Sequence, residues 1–537
     1  VRKASAKITP VFRPLLISFV LLGAALSVGC TRSEPRAEIV VLNGAEPETL
    51  DPAIITGQLE GRLAYALFEG LFAYDQTAKP VPAVAQRWEI SADKKHYTFH
   101  LRHDAKWSDG SPVTAQDFLY SWQRALAPET ASEYAYQLYY LKNAKPFNEG
   151  TLKNFSQVGV QAPDAYTLEV ELENPTPYFL DLCAFTTLLP VQKACIEKWG
   201  DAWTKPGHLV SNGAFKLAAW RINDRVSLVK NPYYWNSAKI PTKSIDALPI
   251  SSPITALNFF YAGQADVILD KNLVPSSLLD ELKTKPYYHA GPFLGTTFLR
   301  FNVKRNPFND PRVRLAFCLA INKQRIVEKV TRAGEPVASS IVPPGTAGYQ
   351  PPPGPQRDPE RARQLLAAAG YPGGKGFPLV RYLYREGSQP ENMAVEIQSM
   401  LHEVLGIQIS LQRQEWKAYL NTMSSLDYDL CAAAWVGDYN DPNTFLDMWL
   451  TDGGNNRTGW SDPQYDGWIA DAARETDEGK RFAIFRKAEL RLISEAAPIC
   501  PLYFYVGIQF YDPQKIGGLQ TNLLDEHPLK SLYLLHR

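Results

Sequence analysis

From Gly295 to the C terminus, segments of helical period alternate with short strands. Apolar residues recur at helical spacing over Asp310–Lys329, Pro359–Ala369, Glu391–Leu405, Trp416–Ser424 and about Gly479–Ala496. Among them stand the strand-like runs Ile407–Gln412, Tyr428–Trp435 and PLYFYVGIQFY, which ends at Tyr511. Pro311 sits at a first helical position and Gly370 closes the second helix. Strand, helix and strand in succession require crossover connections, so this half predicts βαβ units in an open sheet. The first half is also mixed. Strands are expected at Ile39–Asn43, Val84–Ile90, Tyr97–Arg102, Tyr166–Leu172, Ala262–Leu269 and Phe298–Asn302, with a hairpin over Asn212–Lys230 and Gly213 at a tight position. A helix is expected over Gly61–Phe68, and another begins at an N-cap Thr114, with Asp117 at its third position. PPGTAGYQPPPGP (Pro343–Pro355) reads as a loop. No period of 20–50 residues repeats, which excludes a solenoid. The class is α/β, and 537 residues predict two or three domains.

The N terminus stands apart. VRKASAKITPVFRP carries Arg2, Lys3, Lys7 and Arg13, and the apolar run LLISFVLLGAALSVG follows, ending at Cys30. Basic, short apolar and small-residue segments in that order form a secretory signal. The run is shorter than the roughly 20 residues of a membrane-spanning helix. Ser27 and Gly29 before Cys30 resemble a bacterial lipobox, with Leu26 one position earlier than the usual Leu. Cys30 is therefore the expected lipidation site and Thr31–Glu38 a polar tether. The remaining five cysteines sit in apolar contexts such as LAFCLA and APICPL. Buried free thiols are expected, with Cys183–Cys195 and Cys431–Cys500 as possible pairs in a compartment that permits disulfides. No CxxC spacing occurs and the eight His are scattered, so no metal site is expected.

The balance of 56 basic and 56 acidic residues gives no electrostatic footprint for nucleic acid. GxSxG, GxxxxGK[ST] and HExxH are all missing from the sequence. Asp109 reads as a turn residue, Asp117 as an N-terminal helix charge and Asp441, before Pro442, as a turn or cap residue. Asp438 is different. In AAAWVGDYNDPNTFLDMW, running from Ala432 to Trp449, it ends a small and apolar strand and is flanked by Trp435 and Tyr439. A desolvated carboxylate needs a partner or stays protonated. That partner is either in the chain or comes from outside.

The blocks AKWSDGSPVTAQDFLYSWQRAL, VSNGAFKLAAW, NPYYW, PFNDPRVRLAFCLAINKQRIVEKV, QEWKAYL and WVGDYNDPNTFL fall in the same order as in bacterial oligopeptide-binding proteins. The chain resembles these solute receptors of peptide ABC importers, solute-binding family 5, from Ile39 to Arg537. Relatives in that family include a murein-peptide receptor. The resemblance implies a bilobed, periplasmic-binding-protein-like clamshell of type II, in the three-domain peptide-binding subclass, with a hinge between lobes. Residues 39–68, 193–294 and 510–537 would form domain I, 69–192 domain II and 295–509 domain III, after a signal peptide at 1–29 and a lipidated tether at 30–38. It implies that Asp438 pairs with the α-ammonium of a bound peptide. The strand before it, with Ala434, Trp435, Val436 and Gly437, would pair with an extended peptide as an added strand. Trp416, Tyr134, Trp435 and Tyr505 match positions that line the cleft or its pockets. The expected partners are a peptide ligand, an ABC permease and ATPase complex, and the membrane through the anchor on Cys30. No enzyme activity, cofactor or nucleic acid is expected, and the protein is expected to be a monomer outside the cytoplasm, in the periplasm or at the cell surface.

The sequence departs from the enteric receptors where those hold cations for the peptide carboxylate: Ala432 and Met423 replace two Arg, and Pro390 replaces a His. Thr56 replaces a Glu, and Gly295 and Val436 replace two Cys that form a disulfide beside the site. Arg413 and Arg385 could stand in as cations, but surface roles are the expected reading for both. A murein fragment or another non-peptide solute is the alternative ligand class. A secreted hydrolase using Asp438 and a second acid, or a surface lipoprotein without a permease, are alternatives of other classes.

Overall fold

The structure, a computed structural model, describes residues 36–535. The expected signal and Cys30 lie outside them. Ten strands drawn from the length of the chain make one mixed sheet. They are β1 (Ile39–Leu42), β2 (Phe215–Arg221), β3 (Arg225–Lys230), β4 (Ser244–Leu248), β5 (Val267–Ile268), β6 (Tyr288–Phe301), β7 (Val380–Arg385), β8 (Ile409–Gln414), β9 (Leu430–Val436) and β10 (Ile499–Tyr511). Their order is β8-β7-β9-β6-β10-β5-β1-β4-β3-β2. Pairs β7–β8, β7–β9, β1–β4 and β1–β5 are parallel. The long strands β6 and β10 are antiparallel to each other, and β6 is antiparallel to β9.

The βαβ units expected after Gly295 are present. Helix α1 (Ser388–Leu405) carries the chain from β7 to its parallel neighbour β8, and α2 (Trp416–Ser424) returns it to β9. The buried side chains Ala394, Ile397 and Leu401 of α1 meet Tyr382 of β7 and Leu430 of β9 in one core cluster. Separately, the strands Ala85–Ile90, His96–Leu101, Thr167–Glu171 and Val160–Asp164 form an antiparallel sheet. Alternation is plain in HYTFHL, where Tyr97, Phe99 and Leu101 are buried. The helix Ala115–Leu126 carries the expected box, Thr114 with Asp117, and buries Phe118 and Trp122. Asp109 accepts hydrogen bonds from Ser111 N and Oγ, as a turn residue does. Cys183, Cys195, Cys318, Cys431 and Cys500 are buried free thiols.

Several elements differ from the sequence reading. The helix expected over Asp310–Lys329 stops at Ala320, because Asn322 accepts from Arg325 N and caps a new turn, Lys323–Ile326, which passes into a π-helical segment. The strand expected over Ala262–Leu269 shrinks to β5, since Ala262 caps the end of the helix Pro253–Tyr261 and a turn through Gly263, at φ 69°, follows it. A further helix, Pro463–Arg474, starts where Asp462 accepts from Gln464 N and Tyr465 N. The strand expected at Phe298–Asn302 begins ten residues earlier, at Tyr288, as β6 pairs with β10 along its length. The boundaries expected at 294/295 and 509/510 fall inside β6 and β10, and the β6–β10 register breaks between Pro292 and Thr296.

One feature of the sheet prepares the site. Strand β9 pairs with β6 from Leu430 to Val436, but with β7 only at Leu430 and Cys431. From Ala432 onward, β9 therefore has a strand neighbour on one side only. Ala434 and Val436 are exposed, whereas Leu430 to Ala432 are buried.

Candidate functional site

The end of β9 is held by close packing. Gly437 N donates to Leu294 O at 2.8 Å, and a Cβ on Gly437 would meet the Leu294 side chain at 2.6 Å. A side chain at this position would force the Leu294 side chain to move. Asp438 N then donates to Thr444 Oγ1 at 3.1 Å. Two turns further on, Asp441 forms a bidentate pair with Arg481, at 2.8 and 2.7 Å, with both side chains about 5 % exposed or less. Tyr439 stacks on Tyr178 with ring centroids 4.2 Å apart, and Asn443 Nδ2 donates to both their hydroxyls and to Asp447. The loop carrying Asp438 is thus fixed on every side except at the carboxylate itself.

That carboxylate has one protein donor: Tyr136 Oη donates to Asp438 Oδ2 at 3.1 Å. Burial pushes the Asp438 carboxyl up to about 7, against the opposing effect of this hydrogen bond. Gln137 is 1 % exposed, and neither amide atom has a hydrogen-bond partner. Its amide lies beside the Asp438 carboxyl and the Tyr136 hydroxyl but outside bonding geometry. No ion pair from Lys, Arg or His reaches Asp438 among the described residues.

Asp438, Gly437, Val436 and Tyr134 line one cavity of about 260 Å³, together with Thr56, Tyr65, Tyr74, Phe185 and Glu526. Tyr134 packs between Tyr136 and Phe185, at centroid distances of 5.4 and 5.5 Å. The other expected residues lie elsewhere. Ala434 is exposed on the free edge of β9. Trp435 faces the opposite way from Val436, packs on the core and donates its indole N–H to Thr444 Oγ1 at 3.4 Å. Trp416 is half exposed on α2 and stacks on Tyr419. Tyr505 lines a second cavity of about 510 Å³ with Phe293, Pro343 and Phe504. Its ring fills the space over Gly295, where a Cβ would meet it at 2.7 Å, and Lys271 Nζ stands 3.6 Å above its centroid. Of the two stand-in cations, Arg413 lies 3.9 Å from Glu391, while Arg385 faces the Trp416 ring at 6.0 Å.

Tyr136, Gln137, Thr444 and Glu526 were not legible as site residues. The aromatic-rich EYAYQLYY could have marked the first two. Glu526 sits in LLDEHPL, which reads as an ordinary turn.

Among the described residues, a free strand edge thus ends at a desolvated carboxylate beside aromatic cavities. Residues 79–457 match the model of bacterial extracellular solute-binding proteins, family 5, middle region, and the chain belongs to this family. It is 38 % identical to the periplasmic oligopeptide-binding protein OppA of Escherichia coli, covering 100 % of this chain and 99 % of that one. It is 37 % identical to the periplasmic murein peptide-binding protein MppA of the same organism, covering 97 % and 98 %. Among solved structures, Haemophilus influenzae OppA in complex with RPPGFSPFR superposes with a TM-score of 0.80 at 33 % identity, covering 94 % of this chain and 99 % of that chain. The fold is accordingly the bilobed α/β clamshell of peptide-binding solute-binding proteins.

Proposed function

We propose that the protein captures oligopeptides outside the cytoplasm and delivers them to an ABC permease and ATPase complex, with no catalysis of its own. The observation that carries this reading is the free edge of β9 leading to Asp438. An extended peptide laid along Ala433–Val436 satisfies backbone groups without reading side chains. Its α-ammonium reaches a carboxyl that lacks a cation and supplies the charge that lets it ionise. Closure of the two lobes on the ligand then gives the permease a state to distinguish from the empty one. In this reading the domains are 39–68 with 193–294 and 510–537, 69–192, and 295–509, and the chain crosses between lobes within β6 and β10. Lipid on Cys30 would hold the monomeric receptor at the membrane.

Calorimetry on ligand-stripped protein tests the reading with Ala-Ala-Ala and its N-acetyl form. The free amine should bind and the acetylated peptide should bind at least a hundredfold more weakly. Equal affinities would reject the role of Asp438.

A murein peptide is the second reading. It is favoured by the 37 % identity to the murein peptide-binding protein and by Ala432, Met423 and Pro390 standing where enteric receptors hold carboxylate-binding cations. Such a ligand keeps the strand and the amine contacts and differs at its far end.

A further inference from the structure

The cavity that holds Asp438 contains a second acid that the peptide reading does not use. Glu526 comes from the C-terminal segment, and among the described residues no hydrogen bond or ion pair reaches its side chain. The nearby cations are engaged elsewhere: Arg62 donates to Asn43 Oδ1 at 2.8 Å, and Lys530 pairs with Glu69 at 2.8 Å. Arg62 acts on Glu526 only through space, and the neighbouring Asp525 opposes it. Asp525 itself is occupied by Gln509 and His527, each at 3.0 Å.

Tyr65, Tyr74 and Tyr134 line the same cavity as the two carboxyls, and Tyr65 stands edge-on to Tyr74 at 5.9 Å. The cavity, at about 260 Å³, is below the usual range of about 300–1,000 Å³ for a whole ligand. It is a chamber for one side chain, lined by an acid from each of two distant segments and by tyrosine walls that favour a cation.

Resting on the assignment of the α-ammonium to Asp438, we propose that this cavity selects a basic side chain on the first residue of the ligand, with Glu526 as its partner. Lysine and arginine carry both charges that the chamber lacks: the α-ammonium answers Asp438, and the side-chain cation answers Glu526. An apolar side chain of the same length fills the space but leaves Glu526 protonated and unpaired.

The test is calorimetry with Lys-Ala-Ala, norleucine-Ala-Ala and Ala-Lys-Ala, on the wild-type protein and on Glu526→Gln. Wild-type protein should bind Lys-Ala-Ala at least tenfold more tightly than norleucine-Ala-Ala, a comparison that needs no variant. In Glu526→Gln that ratio should fall close to one. Wild-type protein without a lysine preference would overturn the proposal, as would a ratio that survives the substitution. A preference that follows lysine to the second position would also overturn it, since a different pocket would then be responsible. If none of the three peptides binds, the peptide reading has failed and this proposal falls with it, a result distinct from binding without preference.

Discussion

Tyr136 and Asp438 are 302 residues apart in the chain and 3.1 Å apart in space, hydroxyl to carboxylate. The contact brings a short helical turn of the first half, Ala135–Leu138, to the end of strand β9. It is a single neutral hydrogen bond to a buried acid, which orients the carboxyl without neutralising it.

Removing the acid should remove the anchor. Asp438→Asn should cost about 2–5 kcal/mol of peptide affinity, measured by calorimetry against the wild-type protein. Tyr136→Phe should cost less, about 1 kcal/mol, because only a neutral hydrogen bond is lost. A Tyr136→Phe loss as large as that of Asp438→Asn would mean that the tyrosine touches the ligand itself.

The anchor should also be sensitive to pH. The Asp438 carboxyl of the empty protein titrates at about 7, and binding an ammonium requires the ionised form. Protons therefore compete with the ligand, and affinity should fall about tenfold per unit as pH drops below 7. Above roughly 8 it should fall again, as the α-amino group loses its own proton. Stability of the empty protein has the opposite slope. The raised carboxyl binds a proton in the folded state between its ordinary value of 3.8 and about 7, where the unfolded chain does not. Its contribution is thus full at the acid end and is lost as pH rises to 7, a trend that Asp438→Asn should flatten in thermal melts.

Arg481→Ala should destabilise the fold by about 3–5 kcal/mol, since it leaves the buried Asp441 charge without its bidentate partner. Chemical denaturation measures this directly. A cost below about 1 kcal/mol would show that Asp441 takes up a proton at little expense.

At the other cavity, Gly295→Ala should cost about 1–3 kcal/mol, because the added Cβ meets the Tyr505 ring at 2.7 Å. Combining it with Tyr505→Ala should recover part of that loss, as expected of two residues sharing one volume.

On the proposed reading, the carboxylate of a short peptide calls for a cation, and Arg385 is the candidate to test. It ends β7, two residues past Leu383, which pairs with Cys431, and so lies beside the free edge of β9. Arg385→Ala should weaken a tripeptide with a free carboxylate by about 1.5–3 kcal/mol, and its C-terminal amide by much less. Equal losses would place the carboxylate elsewhere.

How much of this was legible in the sequence follows from where each signal lies. Asp438 stood out because local context makes a charge at the end of AAAWVG costly, and local context is what a sequence displays. The βαβ units around α1 and α2 were readable for the same reason, through period and caps. The free edge of β9 was not, because it depends on β7 pairing with only two of its residues. Glu526 was hidden by its setting, a polar turn like many others, and only the fold turns its side chain into the cavity of Asp438. The helix ends at Ala320 and Tyr261 were missed where Asn322 and Ser252 restart or begin helices, since a cap inside an apolar pattern competes with the pattern itself.

The most direct measurement is mass spectrometry of whatever the natively purified protein releases on denaturation. Peptides with free amino termini, enriched in lysine or arginine at the first position, should be released. A single species with a blocked or missing amine would contradict it, because Asp438 would then have no ammonium to answer.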